Sequence, residues 1–492
     1  MPPSKNTNSC FPSGGHSKEE VLAAMRAARE HDLRWQDGRV FSLIYNAGEE
    51  ISQLLKEAYL LYFSENGLNP TAFPSLKKFE AEVVAMTAGL LGGDCETIGN
   101  LTSGGTDSLL MAILAAREWA RKHHPEITDP EVVLPASAHP AFDKGGHYFG
   151  VRMVRVPVKP DLRADPQAME AAITLNTILL AGSAPSYPHG VVDPIPELAA
   201  IALRHGLLFH VDACVGGLML PFVRRLGYPV TDFDFSVAGV TSISADLHKY
   251  GYAAKGASVI LFRNGDLRRH MFFASIDWAG GVYASPTLSG TRPGGAIAAA
   301  WAIMNYLGEE GYLELTSAVM QTARKIQDAI REIPDLKILG EPEMSVMAIA
   351  SDTLNIYEVG DELSQLGWQL DRQQFPASLH LTLSPVHAQV ADQFLSDISL
   401  AVSKVRRPNL RKRVNTLVVS AANAAARRLP ERWLSRLTAK VSGLLGNEEN
   451  GVPQRSAALY GLIGTLPNRG DLKELVLDLV DQFTRLPSKK DP

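Results

Sequence analysis

The chain has 492 residues and a mass of 53.4 kDa, which suits two or three domains with a large core. With 46% hydrophobic and 21% charged residues, the composition excludes disordered, collagen-like and disulfide-scaffold proteins. A net charge of −5 gives no support for nucleic-acid binding, and three sparse cysteines indicate a reducing compartment. No apolar run approaches the roughly 20 residues of a membrane span, and the polar N-terminus lacks a signal peptide. We therefore expect a soluble, cytoplasmic protein.

Three helices are predicted before residue 100. The first covers residues 18–31, because Ser17 and Glu20 have the spacing of a capping box. Apolar residues at helical spacing predict the other two, at 49–63 and 75–91.

Between residue 100 and about 265, short aliphatic or β-branched runs alternate with helical segments. This alternation predicts an α/β domain with a mostly parallel sheet, and the resemblance described below implies seven strands. Ligands of such sheets bind at the carboxyl ends of the strands. The predicted strands are residues 131–134, 151–156, 177–181, 207–211, 240–244 and 257–262.

The remaining chain predicts a smaller α+β domain, with helices at 296–307 and 313–333 and strands at 336–339, 346–350 and 378–383. We expect an N-terminal arm over residues 1–65, a large cofactor-binding domain over 66–315 and a C-terminal domain over 316–492.

A basic, amphipathic segment lies at 404–441 within the C-terminal domain. Residues 404–440 hold eleven Lys or Arg and one Glu, a charge of 11 − 1 = +10, so the rest of the chain carries −5 − 10 = −15. A basic amphipathic helix is able to lie on an anionic membrane. The alternative is a solvated or dimer-contacting helix pair.

The strongest chemical signal is Lys249, in a loop rich in Ser and His at a strand end. Such a lysine can form a Schiff base with an aldehyde cofactor, and we expect burial to lower its pKa and make the amine nucleophilic. The alternative is a surface lysine in a polar turn. Asp212, at the carboxyl end of the strand at 207–211, is suited to pair with a protonated pyridine nitrogen, although it also fits a loop cap.

Two further stretches fit the same cofactor. Small residues from Thr102 to Asp107 open a helix predicted at 108–117 and would let its first amides approach an anion. His139 follows the strand at 131–134 and could stack on a flat ring, though a lone loop histidine is often structural. No histidine spacing matches a metal motif, so we predict no metal site. Taken together, the four stretches provide what pyridoxal 5′-phosphate needs.

Six sequence blocks, in order, resemble the sphingosine-1-phosphate lyases, a branch of the group II pyridoxal-phosphate-dependent decarboxylase family. The similarity covers roughly residues 39–402, and 458–461 resembles a further family stretch. It implies the fold-type I architecture, with a large domain built on a mostly parallel seven-stranded sheet. The blocks are Leu101-Thr-Ser-Gly-Gly-Thr-Asp-Ser108, Ser137-Ala-His-Pro-Ala-Phe-Asp-Lys144, Tyr187-Pro-His-Gly-Val-Val-Asp-Pro194, His210-Val-Asp-Ala-Cys-Val-Gly-Gly217, Val240-Thr-Ser-Ile-Ser-Ala-Asp-Leu-His-Lys-Tyr-Gly-Tyr252 and Tyr283-Ala-Ser-Pro-Thr-Leu-Ser-Gly-Thr-Arg-Pro-Gly-Gly295.

The resemblance also implies roles around the cofactor. Lys249 forms the Schiff base, and Asp212 pairs with the pyridine nitrogen. His139 stacks on the ring, and Cys214 lies against its other face. The cofactor phosphate is held by Gly104, Gly105, Thr106 and His248.

On the substrate side, the resemblance assigns Tyr187 and Lys255 to positions near the substrate and its leaving part, where either could transfer a proton. Tyr45 matches an N-terminal active-site tyrosine. The turn that contains Thr291 resembles one contributed by a second subunit, which implies an obligate homodimer with active sites at the interface.

One departure concerns the substrate phosphate. Where the family has a histidine before Pro70, this chain has Asn69, which can donate hydrogen bonds but carries no positive charge.

The implied reaction is a retro-aldol cleavage of sphingosine 1-phosphate, or a related phosphorylated sphingoid base, to a long-chain aldehyde and phosphoethanolamine. One alternative is an amino-acid decarboxylase of the same fold. A second is a lipid-binding protein at a membrane surface with a dormant fold, which the basic segment at 404–441 motivates.

Overall fold

The computed structural model describes residues 11–30 and 32–407, together with seven residues between 473 and 484. The chain forms two compact units, of which the larger comprises Gln36–Leu354 and Trp368–Leu400. The described residues outside those two ranges belong to the smaller unit. The domain boundaries expected at 65/66 and 315/316 stay a prediction. The basic segment at 404–441 lies, beyond Arg407, outside the described residues.

A seven-stranded sheet forms the centre of the larger unit, with the strand order β1-β7-β6-β5-β4-β2-β3. Five adjacent strands run parallel to one another, namely β6, β5, β4, β2 and β3. Strand β7 runs antiparallel to both of its neighbours, β6 and β1. The predicted fold class is therefore confirmed, and the six predicted strands match within two residues at each end. The strands are β1 Ile98–Thr102, β2 Glu131–Pro135, β3 Arg152–Val156, β4 Thr177–Ser183, β5 Leu208–Asp212, β6 Ser242–Ala245 and β7 Ser258–Phe262.

Strand β1 had no sequence signal because Gly99 and Asn100 interrupt its aliphatic residues. Gly99 is needed there, since a Cβ at this position would collide with the carbonyl oxygen of Ile260 in β7. The inner strands β2, β4 and β7 are buried along their whole length, which explains their nearly continuous apolar sequences. Strand β6 is equally buried, and its two serines form hydrogen bonds with His210 of β5.

Several helices of the larger unit pack against this sheet. Ser17 and Glu20 form the predicted capping box of α1, and the first three helices end within two residues of their predicted positions. The helices are α1 Lys18–Arg29, α2 Glu49–Leu61, α3 Pro74–Leu90, α4 Gly105–His123, α5 Ala141–Phe149, α6 Pro166–Ala171, α7 Ile195–Arg204, α8 Leu220–Arg225, α9 Gly265–Arg269, α10 Gly294–Arg331, α11 Ile356–Gln365 and α12 Ala391–Arg406.

Helix α4 differs from the prediction at its start, whereas α10 keeps the predicted division into two helices. Helix α4 begins at Gly105, three residues before the predicted start at 108, so the small residues form its first turn instead of preceding it. The two helices predicted at 296–307 and 313–333 both lie within α10, and the non-helical Gly308, where φ is 54°, separates them as predicted. Glycine adopts this left-handed conformation without steric cost.

A four-stranded antiparallel sheet, ordered β10-β11-β13-β12, follows later in the chain. Three of its strands were predicted, but the polar strand β12 was not. The register of β12 and β13 sets Asp371 opposite His380. The remaining strands are β8 Phe273–Ser275, β9 Tyr283–Ser285, β10 Lys337–Ile338, β11 Val346–Ala350, β12 Asp371–Gln373 and β13 Ser378–Thr382.

Among the described residues, no helix is both long enough and apolar enough to cross a membrane.

Candidate active site

A cavity of about 580 Å³ opens at the carboxyl ends of the central strands. Its volume lies within the roughly 300–1,000 Å³ typical of small-molecule sites. Asp212 ends β5, and Lys249 lies in the turn after β6. Eleven of the thirteen predicted site residues line the cavity: Tyr45, Gly104, Gly105, Thr106, His139, Tyr187, Asp212, Cys214, His248, Lys249 and Lys255.

The N-terminus of α4 forms one wall of this cavity. The residues at its start are Gly104 as N-cap and Gly105 as the first helical residue. A Cβ on Gly105 would lie 2.8 Å from Asp246 Oδ2 and 2.9 Å from Cys214 Sγ, so only glycine fits. The unpaired amides and the dipole of a helix start favour an anion, and this wall therefore suits a phosphate group.

Lys249 is paired with a carboxylate that has no role in the sequence prediction. Its Nζ lies 2.8 Å from Oδ2 of the buried Asp246. Burial opposes the charged amine, but the Asp246 carboxylate outweighs burial and raises the pKa of Lys249 well above its ordinary value. The expectation that burial lowers this pKa is therefore wrong for the free amine, because the prediction did not include the paired carboxylate.

Asp246 is held in its ionised form by the same pair. Burial alone would raise the pKa of Asp246, but the charges of Lys249 and His248 overcome this and lower it. The hydroxyl of Ser258 also donates a hydrogen bond of 2.6 Å to Asp246 Oδ1. The free site therefore holds an ammonium–carboxylate pair, and Lys249 must give up a proton before it can act as a nucleophile.

Burial favours the uncharged forms of two groups expected around the cofactor ring, His139 and Cys214. Burial lowers the pKa of His139, whose Nδ1 accepts a hydrogen bond from the Ala141 amide at 3.1 Å. Burial raises the pKa of the Cys214 thiol, which donates to Ser244 Oγ at 3.2 Å. Asp212 is buried and accepts a hydrogen bond of 3.1 Å from the Cys214 amide. A neutral imidazole, a neutral thiol and one carboxylate suit a flat ring with a protonated nitrogen.

His248 lies beside the α4 wall. Its Nδ1 donates to the carbonyl oxygen of Ala257 at 2.7 Å, which fixes the orientation of the ring. Burial lowers the pKa of His248, although the nearby Asp246 carboxylate opposes this shift.

Tyr45, Tyr187 and Lys255 line the same cavity. The Tyr187 hydroxyl donates to Asp371 Oδ2 at 3.0 Å, and burial together with this carboxylate raises the pKa of Tyr187 well above its ordinary value. Lys255 Nζ donates to the Leu43 carbonyl at 2.9 Å and lies 5.4 Å from the ring centroid of Tyr45. Partial desolvation and then the charge of Lys249 lower the pKa of Lys255, whereas burial raises the pKa of Tyr45 to about 12.

The structure does not bring Asn69 or Thr291 into this cavity. Asn69 is exposed, and its Oδ1 accepts hydrogen bonds from the Thr71 amide and hydroxyl and from the Ala72 amide. Thr291 Oγ1 accepts a hydrogen bond of 3.3 Å from Asn66 and lines a separate, smaller pocket.

Sequence reasoning missed two acidic residues of the site. Asp246 had an available signal, because it lies three residues before Lys249 in a segment already predicted to be a strand end. Asp371 had none, because it is 184 residues from Tyr187 in sequence and occupies a strand that was not predicted.

This arrangement of sheet, helix start, lysine and buried acids defines the class of protein. The sequence profile of the pyridoxal-dependent decarboxylase conserved domain matches residues 11–350. Pyridoxal 5′-phosphate is the cofactor of this class, as predicted. The residues present fit it, because they include a cradle at α4 that a Cβ would fill, a lysine for the aldehyde and a buried carboxylate for the ring nitrogen.

Closer relatives define the family. Sphingosine-1-phosphate lyase from Arabidopsis thaliana is 40% identical over 485 residues, which is 97% of this chain and 81% of that protein. The structure of sphingosine-1-phosphate lyase from Burkholderia pseudomallei is 41% identical with a TM-score of 0.78, covering 84% of this chain and 96% of that one. The chain belongs to the sphingosine-1-phosphate lyase family.

The decarboxylases resemble this chain less closely. Glutamate decarboxylase from Lactobacillus brevis superposes with a TM-score of 0.71 at 18% identity, covering 82% of this chain and 96% of that chain. At that identity the likeness concerns the fold alone.

Proposed function

We propose that the protein is a carbon–carbon lyase that cleaves a phosphorylated sphingoid base, such as sphingosine 1-phosphate, to a long-chain aldehyde and phosphoethanolamine. The observation that carries the proposal is the single cavity in which Lys249, Asp212 and the start of α4 face Tyr187 and Lys255. Membership of the lyase family supports the same reaction.

Each residue on the cofactor side has a proposed task. The cofactor, when bound, supplies an electron sink for the pair of electrons released by bond cleavage. Lys249 would hold the cofactor through its aldehyde, and Asp212 would pair with the ring nitrogen. His139 and Cys214 would lie against the ring, while Gly104, Gly105, Thr106 and His248 would hold the phosphate.

On the substrate side, Tyr187 and Lys255 are the candidates for proton transfer. Lys255 has a lowered pKa and therefore exchanges its proton at a lower pH than an ordinary lysine. We assign it the return of a proton to the carbon from which the aldehyde leaves. Tyr45, whose ring lies beside Lys255, orients the substrate. Asn69 contacts the substrate phosphate in the assembled enzyme.

We propose an obligate homodimer in which one protomer supplies Thr291 to its partner's site. Thr291 lies outside the cavity of its own chain, which supports a role across an interface. Apolar side chains on and beside the β8–β9 hairpin are also exposed in the single chain, with Ile276 at 73% and Val282 at 77%. Sedimentation would test the assembly, and a monomer with full turnover would overturn it.

The decisive experiment supplies sphingosine 1-phosphate to the holoenzyme and measures long-chain aldehyde and phosphoethanolamine together. The proposal expects both products in equal amounts. Carbon dioxide from a panel of amino acids, without aldehyde from the lipid, would instead support the decarboxylase. Binding of the lipid without either product would leave only a lipid-binding role.

The cytoplasmic location and membrane contact through 404–441 stay predictions. Liposome flotation of the chain with and without this segment would test the contact, and equal flotation would exclude it.

A further inference from the structure

The hydroxyl of Tyr187 is part of a hydrogen-bonded group that reaches from the cavity to the four-stranded sheet. Asp371 accepts at both oxygens, from the Tyr187 hydroxyl on Oδ2 at 3.0 Å and from the Ser42 hydroxyl on Oδ1 at 3.2 Å. His380, opposite Asp371 in the sheet, packs its ring 4.3 Å from that of Tyr187 and donates through Nε2 to the Tyr187 carbonyl at 2.9 Å. Two adjacent strands, β12 and β13, thus hold Tyr187 in one orientation, while Ser42 holds Asp371.

These contacts determine the direction of the hydrogen bond. An ionised carboxylate only accepts hydrogen bonds, and a phenol has one proton to donate. The proton of Tyr187 is therefore committed to Asp371. The phenolic oxygen keeps its lone pairs for the cavity, so a substrate group that meets Tyr187 must itself be a donor.

The proposed reaction supplies such a donor, and the inference rests on that proposed function. The hydroxyl next to the bond that breaks must lose its proton as it becomes the carbonyl of the aldehyde. We propose that Asp371, acting through Tyr187, is a positioning residue that receives this proton.

The transfer is balanced in atoms and electrons. The substrate O–H bond breaks, and its proton forms a new O–H bond on Tyr187. The original Tyr187 O–H bond breaks, and that proton ends on Asp371 Oδ2. The electron pair left on the substrate oxygen forms the carbonyl, while the pair of the broken carbon–carbon bond stays with the fragment that carries the amine. After the aldehyde leaves, Asp371 returns its proton to Tyr187, and the proton that Tyr187 took from the substrate passes to solvent. Lys255, which has given a proton to the fragment that carries the amine, regains one from solvent.

The first test is Asp371→Asn in the holoenzyme, because the amide keeps the shape of the side chain but cannot take the proton. A general-base contribution is typically about 100- to 10,000-fold, so we expect kcat to fall at least about 100-fold. KM should change less than about threefold, and the cofactor absorbance should stay the same. Asp371→Glu should restore part of kcat. Asp352→Asn, which removes an exposed partner of Lys337 in the same part of the chain, is the matched control and should leave kcat unchanged.

Tyr187→Phe keeps the ring and removes the hydroxyl, so it tests the proton relay from the other partner if Asp371→Asn folds poorly. A relay predicts that Asp371→Asn adds no further loss of kcat in the Tyr187→Phe background. Two outcomes would overturn the inference: an Asp371→Asn enzyme within about threefold of the wild-type kcat, or independent, multiplicative losses in the double variant.

A binding measurement tests the direction of the hydrogen bond without turnover. A 3-O-methyl analogue of the substrate has no proton to donate at this position, so wild-type protein should bind it at least about tenfold more weakly than the 3-hydroxyl lipid in calorimetry under non-turnover conditions. In Asp371→Ala no acceptor remains at this position, so the Tyr187 proton is free to turn toward the cavity, and the penalty should shrink to less than about threefold. An equal penalty in both proteins would contradict the proposal. A wild-type enzyme that yields no aldehyde would refute the proposed function instead, and the binding comparison would still report on Asp371.

Discussion

The two ends of the cavity are built in different ways. At the cofactor end, Asp212, Asp246 and Lys249 lie on or within four residues of two adjacent strand ends, β5 and β6. At the substrate end, Asp371 joins Tyr187 and Ser42 across 184 and 329 residues of chain. The cofactor end therefore depends on the central sheet, whereas the substrate end depends on packing of the four-stranded sheet against distant segments. Substitutions should be able to disable one end while the other stays intact.

The largest effect is expected at the cofactor end, from Lys249→Ala. Without the amine, no covalent link to the cofactor forms, so turnover should fall more than about 1,000-fold and the visible absorbance of the linked cofactor should disappear. Lys255→Ala is the comparison, because it removes a lysine from the same cavity and should keep the absorbance. A Lys249→Ala protein with full turnover would refute the assignment.

Asp246→Asn should show how much the Lys249–Asp246 pair contributes to the free energy of unfolding. Removing one partner of a buried pair leaves Lys249 unpaired and costs roughly 3 kcal/mol of unfolding free energy in the protein without cofactor. Chemical denaturation against pH would measure this cost, with Asp352→Asn as an exposed control expected to change stability by less than about 1 kcal/mol.

The pH dependence of this loss follows from the two pKa shifts. Lys249 has a raised pKa, so its contribution is present below its unfolded pKa and is lost only as the pH rises through the folded value. Asp246 has a lowered pKa, so its contribution is present above its unfolded pKa and is lost as the pH falls through the folded value. The cost of Asp246→Asn should therefore be flat between about pH 5 and 9. A cost that disappears at pH 7 would contradict the pair.

The same contrast explains what the sequence could predict. Aliphatic runs and the polar residues that follow them are local signals, and they sufficed for six of the seven central strands and for Lys249, Asp212 and His139 at their ends. They could not reveal that Asp246 reverses the pKa shift of Lys249, because that result depends on a distance. Nor could they reveal Asp371, since a short polar strand such as β12 has no apolar pattern and its register with β13 forms only through tertiary packing.

At the substrate end, Lys255→Arg should alter the pH profile. The pKa of Lys255 is lowered, so Lys255 loses its proton at a lower pH than an ordinary lysine. Because it acts as the acid, turnover should fall as that proton is lost. Arginine stays protonated, so the variant should lack this alkaline limb and should be about 100-fold slower because it is a poor proton donor. Rates of aldehyde release between pH 6 and 10 would measure both effects, and an unchanged alkaline limb in the variant would exclude Lys255 as its source.

The smallest effect is expected at Asn69, the family departure that lies outside the cavity of its own chain. Asn69→His adds a group that is charged below about pH 6.5, so KM for the phosphorylated substrate should fall about threefold at pH 6 and stay unchanged at pH 8.5. The variant also loses the hydrogen bonds that Asn69 Oδ1 accepts within its own turn, at a cost of about 1 kcal/mol of stability. Asn69→Gln is the matched control, because it disturbs the same turn without adding charge and should leave KM alone at both pH values. If histidine and glutamine changed KM equally, the effect would come from the turn, and Asn69 would have no part in recognising the phosphate.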